Sequence, residues 1–134
     1  MNREAESASK VADFLRSHPK VNYVNYLGYL EPGDPQYDIF KKQCLSAGAM
    51  ISFEVQDGEP GAFRFLNALK LIHLAVSLGS NESLAEHPGA MTHSGVPDID
   101  KKRYGITEGL VRISVGVENP DDLILDLSQA LNAV

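Results

Sequence analysis

Arg112 lies in the middle of an apolar run, Leu110-Val111-Arg112-Ile113-Ser114-Val115-Gly116-Val117. Alternation along a strand puts Val111, Ile113, Val115 and Val117 on one face and Leu110, Arg112, Ser114 and Gly116 on the other. A guanidinium carried on a rigid strand is suited to bidentate binding of a carboxylate, whereas an arginine in the same place also serves as a plain solvated residue on an outer face. Ser77, before Leu78-Gly79, has the same double character: it is a turn residue, or it offers a hydroxyl and backbone N–H groups to an anion. His73, His87 and His93 match no metal-ligand spacing, which favours surface or hydrogen-bonded histidines. Ser94 follows His93 without the strand–turn–helix pattern of a nucleophile elbow. There is neither a dinucleotide-binding glycine triplet nor a Gly-Lys-Ser/Thr phosphate loop. Cys44 is the only cysteine, so neither an intrachain disulfide nor a thiolate zinc site can be built from cysteine alone.

The elements that hold these residues follow from periodicity. Ala8, Val11, Ala12, Phe14 and Leu15 predict a helix over 3–17, closed by His18-Pro19. Val21 to Tyr26 reads as a short strand. Asp34-Pro35 predicts a capped helix to about Gln43. Ile51, Phe53 and Val55 alternate with Ser52 and Glu54, as in a half-buried strand. The turn Asp57–Gly61 leads into a helix through Phe63, Leu66 and Leu69, and Ile72–Val76 predicts a strand that stops at Ser77. Residues 79–109 are broken by glycine and proline and predict an irregular, functional stretch. Asn119-Pro120-Asp121-Asp122 opens a last helix with a capping side chain, a proline at its first position and two acids at the positive end of its dipole. The order predicts an α+β domain with a short, mostly antiparallel sheet and helices on one face.

Composition bounds the partners. The 134 residues fit one domain, and 43% hydrophobic with 22% charged residues suits a folded core. Twelve basic against eighteen acidic residues give a net charge of −6. No basic stripe offsets it, so nucleic acid and anionic membranes are expected to be repelled. The opening Met-Asn-Arg-Glu-Ala-Glu-Ser lacks an apolar signal core, and no apolar run is long enough to span a bilayer, so the expectation is a cytoplasmic protein.

Three stretches together resemble one family. Residues 73–95, His-Leu-Ala-Val-Ser-Leu-Gly-Ser-Asn-Glu-Ser-Leu-Ala-Glu-His-Pro-Gly-Ala-Met-Thr-His-Ser-Gly, are similar to a signature of the Cys/Met-metabolism pyridoxal-phosphate enzymes. These include cystathionine γ-synthase, the cystathionine lyases, methionine γ-lyase and the homoserine-ester sulfhydrylases. Residues 104–131 resemble the family's C-terminus, and Lys10–Leu15 with His18-Pro19-Lys20-Val21 resembles the start of its small domain. The resemblance covers nearly the whole chain, in order.

It implies that residues 1–134 form the C-terminal, substrate-recognising domain of a fold-type I pyridoxal-phosphate enzyme. The cofactor is expected in a larger preceding domain, on a lysine in a Ser-X-Thr-Lys context. None of Lys10, Lys20, Lys41, Lys42, Lys70, Lys101 and Lys102 has that context, so no catalytic residue is expected in this chain, and alone it is expected to be inactive. By resemblance, Arg112 grips the substrate's α-carboxylate, Ser77 and the Leu78 backbone contact the same group, and Thr92 helps to fix the arginine. Clamping the carboxylate orients the amino acid, which decides the bond that reacts. Val76 stands where methionine γ-lyases carry valine and cystathionine γ-lyases carry glutamate, and an apolar residue suits a thioether tail. The implied function is a methionine-γ-lyase-like carbon–sulfur lyase acting on sulfur amino acids, within a homo-oligomer. A γ-synthase or sulfhydrylase is the alternative, and a free-standing, non-catalytic amino-acid-binding module is the alternative of another class.

Overall fold

The computed structural model describes residues 2–134. Helix α1, Asn2–Ser17, buries Ala8, Val11, Ala12 and Leu15 as one stripe and ends where Pro19 prevents its continuation. Strand β1, Val21–Asn25, leads into a 3-10 turn at Leu27–Tyr29. Helix α2 covers Tyr37–Gln43, with Gln36 at its cap position, two residues later than an Asp34 cap would place it. The Asp34 carboxylate accepts instead from Glu31 N–H at 2.6 Å, and its carbonyl accepts from Tyr37 N–H at 3.0 Å, so this residue closes turns before the helix.

Strand β2, Met50–Val55, buries Ile51, Phe53 and Val55 as its alternation predicts. Helix α3, Gly58–Ala68, begins inside the expected turn, just after Asp57, whose left-handed backbone (φ 68°) turns the chain. Strand β3 is only His73–Leu74, not the expected Ile72–Val76. It is an edge strand whose two residues are exposed, and Ile72 alone of the run points into the core. Residues 79–109 also differ from expectation, holding strand β4, Leu84–Glu86, and helix α4, Asp98–Arg103. Strand β5 spans Leu110–Ser114, and helix α5 spans Pro120–Leu131 with Asn119 Oδ1 accepting from Asp121 N–H at 3.0 Å.

The sheet order is β1-β2-β5-β4-β3, antiparallel throughout except for the parallel β3–β4 pair. Ile51 faces Ile113 and Phe53 faces Val111 across β2–β5, and α1, α3 and α5 bury that face with Leu15, Phe65, Leu123 and Leu127. Among the described residues, no helix is long and apolar enough to cross a membrane.

Candidate functional site

Because Val111 and Ile113 enter the helix-covered core, Arg112 between them must emerge on the opposite face of β5. It stands across from Ser52 on β2 and Glu86 on β4. The Arg112 side chain is 24% exposed and its Nη2 forms an ion pair with Oε1 of Glu86, whose side chain is 2% exposed. Thr92 Oγ1 donates to the same Oε1 at 3.2 Å and lies 2.9 Å from His93 Nδ1. Arg112 and Thr92 are therefore brought together through a shared acid. The strand arginine is anchored on one side rather than freely solvated.

Ser77 and Leu78 follow β3 in an exposed loop that closes on Gly79, whose φ of +71° favours glycine. Gly79 N–H donates to Ser114 Oγ at 2.9 Å. Ser114 is two residues beyond Arg112 on the same face, so this bond ties the loop to the arginine's side of the sheet. Val76, just before it, is 54% exposed.

The segment that leads into β3 is firmly held. Asp126 on α5 accepts from the backbone N–H groups of Lys70, Leu71 and Ile72, each at 2.9 Å, and from Gln129 Nε2 at 3.0 Å. Burial pushes this carboxyl's pKa up, but the bonds from Ile72, Lys70, Leu71 and Gln129 outweigh it and hold the pKa below the ordinary carboxylate value. Further along, Glu118 accepts from Ser83 N–H at 2.6 Å and Ser83 Oγ at 2.8 Å, while Gly116 N–H donates to Ser83 Oγ at 2.8 Å.

The histidines are placed apart. His73 is on the exposed β3 edge and His93 is beside Thr92. His87 is buried: its Nδ1 accepts from Ala90 N–H at 3.0 Å, its Nε2 meets Glu108 O at 2.7 Å, and Phe63 packs edge-on at 5.2 Å. Among the described residues, no group of three or more His, Cys, Asp or Glu side chains could hold a metal ion.

Glu86, Asp126 and the Ser83–Glu118 pair escape a reading of the sequence. Glu86 alone leaves a trace there, as a single acid ending the otherwise apolar Leu84-Ala85 pair.

No lysine of the chain stands in the Ser-X-Thr-Lys context expected of the cofactor lysine. Lys20 Nζ donates to the carbonyls of Leu131 at 3.1 Å and Val134 at 2.8 Å, and Lys101 lies 3.7 Å from Asp98. Lys10, Lys41, Lys42, Lys70 and Lys102 are exposed.

Comparison with known proteins bears on the whole chain. A family model described as Cys/Met metabolism PLP-dependent enzyme matches residues 1–132. An L-methionine gamma-lyase of Fusobacterium nucleatum subsp. polymorphum is 48% identical over 134 residues, which are 100% of this chain and 33% of that protein. A cystathionine gamma-lyase of Sus scrofa is 47% identical over 133 residues, 99% of this chain and 32% of that protein. Among solved structures, a cystathionine gamma-lyase from Micromonospora echinospora superposes with a TM-score of 0.90 at 39% identity, over 99% of this chain and 34% of that one. A putative O-acetylhomoserine (thiol)-lyase from Campylobacter jejuni, solved with N′-pyridoxyl-lysine-5′-monophosphate, gives a TM-score of 0.88 at 37% identity, over 98% of this chain and 31% of that one. The chain spans about a third of the length of the curated relatives it matches. With its sheet, its helices and almost every residue accounted for by that match, the chain belongs to the Cys/Met metabolism PLP-dependent enzyme family.

Proposed function

We propose that this chain is the C-terminal, substrate-recognising domain of a PLP-dependent carbon–sulfur lyase of the methionine γ-lyase type, and that Arg112 binds the α-carboxylate of a sulfur amino acid. The observation that carries this is the anchoring of the Arg112 guanidinium by a buried acid on a central strand, with part of the side chain exposed. An arginine prepared in that way loses less freedom when it takes a carboxylate, and charge-assisted bonds to a guanidinium are among the stronger hydrogen bonds.

Ser77 and the Leu78 backbone act as the second contact to the same carboxylate, supported by the Gly79–Ser114 bond. Thr92 acts on the arginine through Glu86. Val76 lines the side-chain direction and favours an uncharged thioether. Pyridoxal phosphate is held by a larger domain of the same homo-oligomeric, cytoplasmic enzyme, and on its own this chain is inactive. The likeness to a putative O-acetylhomoserine (thiol)-lyase supports a second reading, a sulfhydrylase using the same carboxylate contacts.

The test is a chimera in which this chain replaces the matching third of the Fusobacterium nucleatum lyase. It is expected to cleave methionine in preference to cystathionine, and Val76→Glu is expected to shift that preference toward cystathionine. A chimera that prefers cystathionine regardless of residue 76 contradicts the methionine assignment.

A further inference from the structure

Glu86 and Arg112 are register partners in the β4–β5 ladder, and Glu86 Oε1 takes both Arg112 Nη2 and the Thr92 hydroxyl. Glu86 Oε2 and Arg112 Nε are buried and have no hydrogen-bond partner among the described residues. A buried pair kept only for stability gains little when two of its polar atoms are left bare, since each is desolvated without return. The other acid on this face, Glu54, is engaged by Asn22 and Thr107. Glu86 therefore acts on the arginine in two ways. It holds the guanidinium, and its charge opposes a second carboxylate approaching the same cation.

We propose that Glu86 is the positioning residue of the carboxylate site, and that its charge sets the site's affinity by competing with the ligand for Arg112. The proposal rests on Arg112 binding a carboxylate. Thr92 is the outer support, holding Oε1 from an exposed position.

The experiment uses the ¹⁵N-labelled 134-residue chain, with the Arg112 Nε–H signal assigned by its loss in Arg112→Lys and propionate as the probe. Without ligand, hydrogen exchange of this Nε–H is expected to stay within about threefold of wild type in Glu86→Gln, whose amide oxygen still accepts from Nη2 and Thr92. It is expected to rise about tenfold or more in Glu86→Ala, and in the same direction but less in Thr92→Val. Propionate is expected to bind Glu86→Gln roughly tenfold more tightly than wild type, because one competing charge is gone. Wild-type exchange in Glu86→Ala overturns the positioning role. Propionate that shifts the Arg112 signal in both proteins but binds Glu86→Gln no more tightly overturns the competition. Propionate that moves the Arg112 signal in neither protein overturns carboxylate binding by Arg112, and with it the affinity half of the proposal, while exchange rates that follow expectation still support the hold of Glu86 on the guanidinium.

Discussion

Glu86 and Arg112 face each other across β4 and β5, and the acid is far more deeply buried than the base that neutralises it. Removing the arginine therefore strands a carboxylate in the protein. Breaking a buried pair from one side costs about 3–5 kcal/mol, whereas replacing both partners by apolar groups is often neutral. Arg112→Met is expected to destabilise the chain by about that amount, and Arg112→Met with Glu86→Leu to recover most of it. Chemical denaturation of Arg112→Met, Glu86→Leu and the double variant measures the coupling. Additive effects would show that the pair is not coupled.

Asp126 links pH to the segment that leads into β3. Its folded pKa lies below the ordinary value of 3.8, so its contribution to stability is present above that value. As pH falls through the lower folded value, that contribution is lost, because the unfolded chain takes up the proton first. Asparagine cannot accept all the bonds that the two carboxylate oxygens receive, so Asp126→Asn is expected to cost about 2–3 kcal/mol at neutral pH. The gap between wild type and variant should narrow as the solution is taken below pH 3.8. Denaturant midpoints across that range decide it, and a gap independent of pH would show that the hold of Asp126 on residues 70–72 does not depend on its charge.

Much of this was legible in the sequence wherever a local rule acts alone. The alternation of Ile51, Phe53 and Val55 marks β2 because one face is buried and the other is not. Asn119-Pro120 marks α5 because capping is decided within three residues. Strand β4 was illegible because Leu84, Ala85 and Glu86 are all buried, which erases alternation in so short a strand. Asp34 misleads because its carboxylate serves a turn on its N-terminal side. Arg112 and Ser77 stand out by residue type and position, while their carboxylate role and the parts of Leu78 and Thr92 come from family resemblance, and the partner of Arg112 depends on register. No local pattern pairs residue 112 with residue 86.

At Gly116 the segment after β5 runs against the segment before β4, with Gly116 N–H donating to Ser83 Oγ and Val117 N–H to Asn81 O. A Cβ there would overlap Asn81 O and lie 2.6 Å from Glu118 Oε2, close to groups that hold Ser83. Gly116→Ala is expected to cost about 1–3 kcal/mol and to speed amide exchange at Gly79 and Ser83. Wild-type stability in that variant would show that the two segments separate easily.

The lysines make a further prediction. Lys20 is committed to the carbonyls of Leu131 and Val134, and Lys10, Lys41, Lys42, Lys70 and Lys102 are exposed. Pyridoxal phosphate followed by borohydride is expected to label the isolated chain at several lysines, each substoichiometrically, by peptide mass analysis. One stoichiometric adduct on a single lysine would contradict the placement of the cofactor in another domain.

The carboxylate role of Arg112 is tested most directly in the chimeric lyase, where methionine turnover can be followed. Lysine keeps the charge but loses the planar fork, and each charge-assisted bond contributes about 1.5–3 kcal/mol. Arg112→Lys, made with Glu86 unchanged so that the buried acid keeps a cation, is expected to lower kcat/KM for methionine on the order of a hundredfold or more. Cofactor absorbance should be retained. Near-normal kcat/KM in Arg112→Lys, or loss of the cofactor with recognition of methionine intact, would contradict the assignment of Arg112 to the substrate carboxylate.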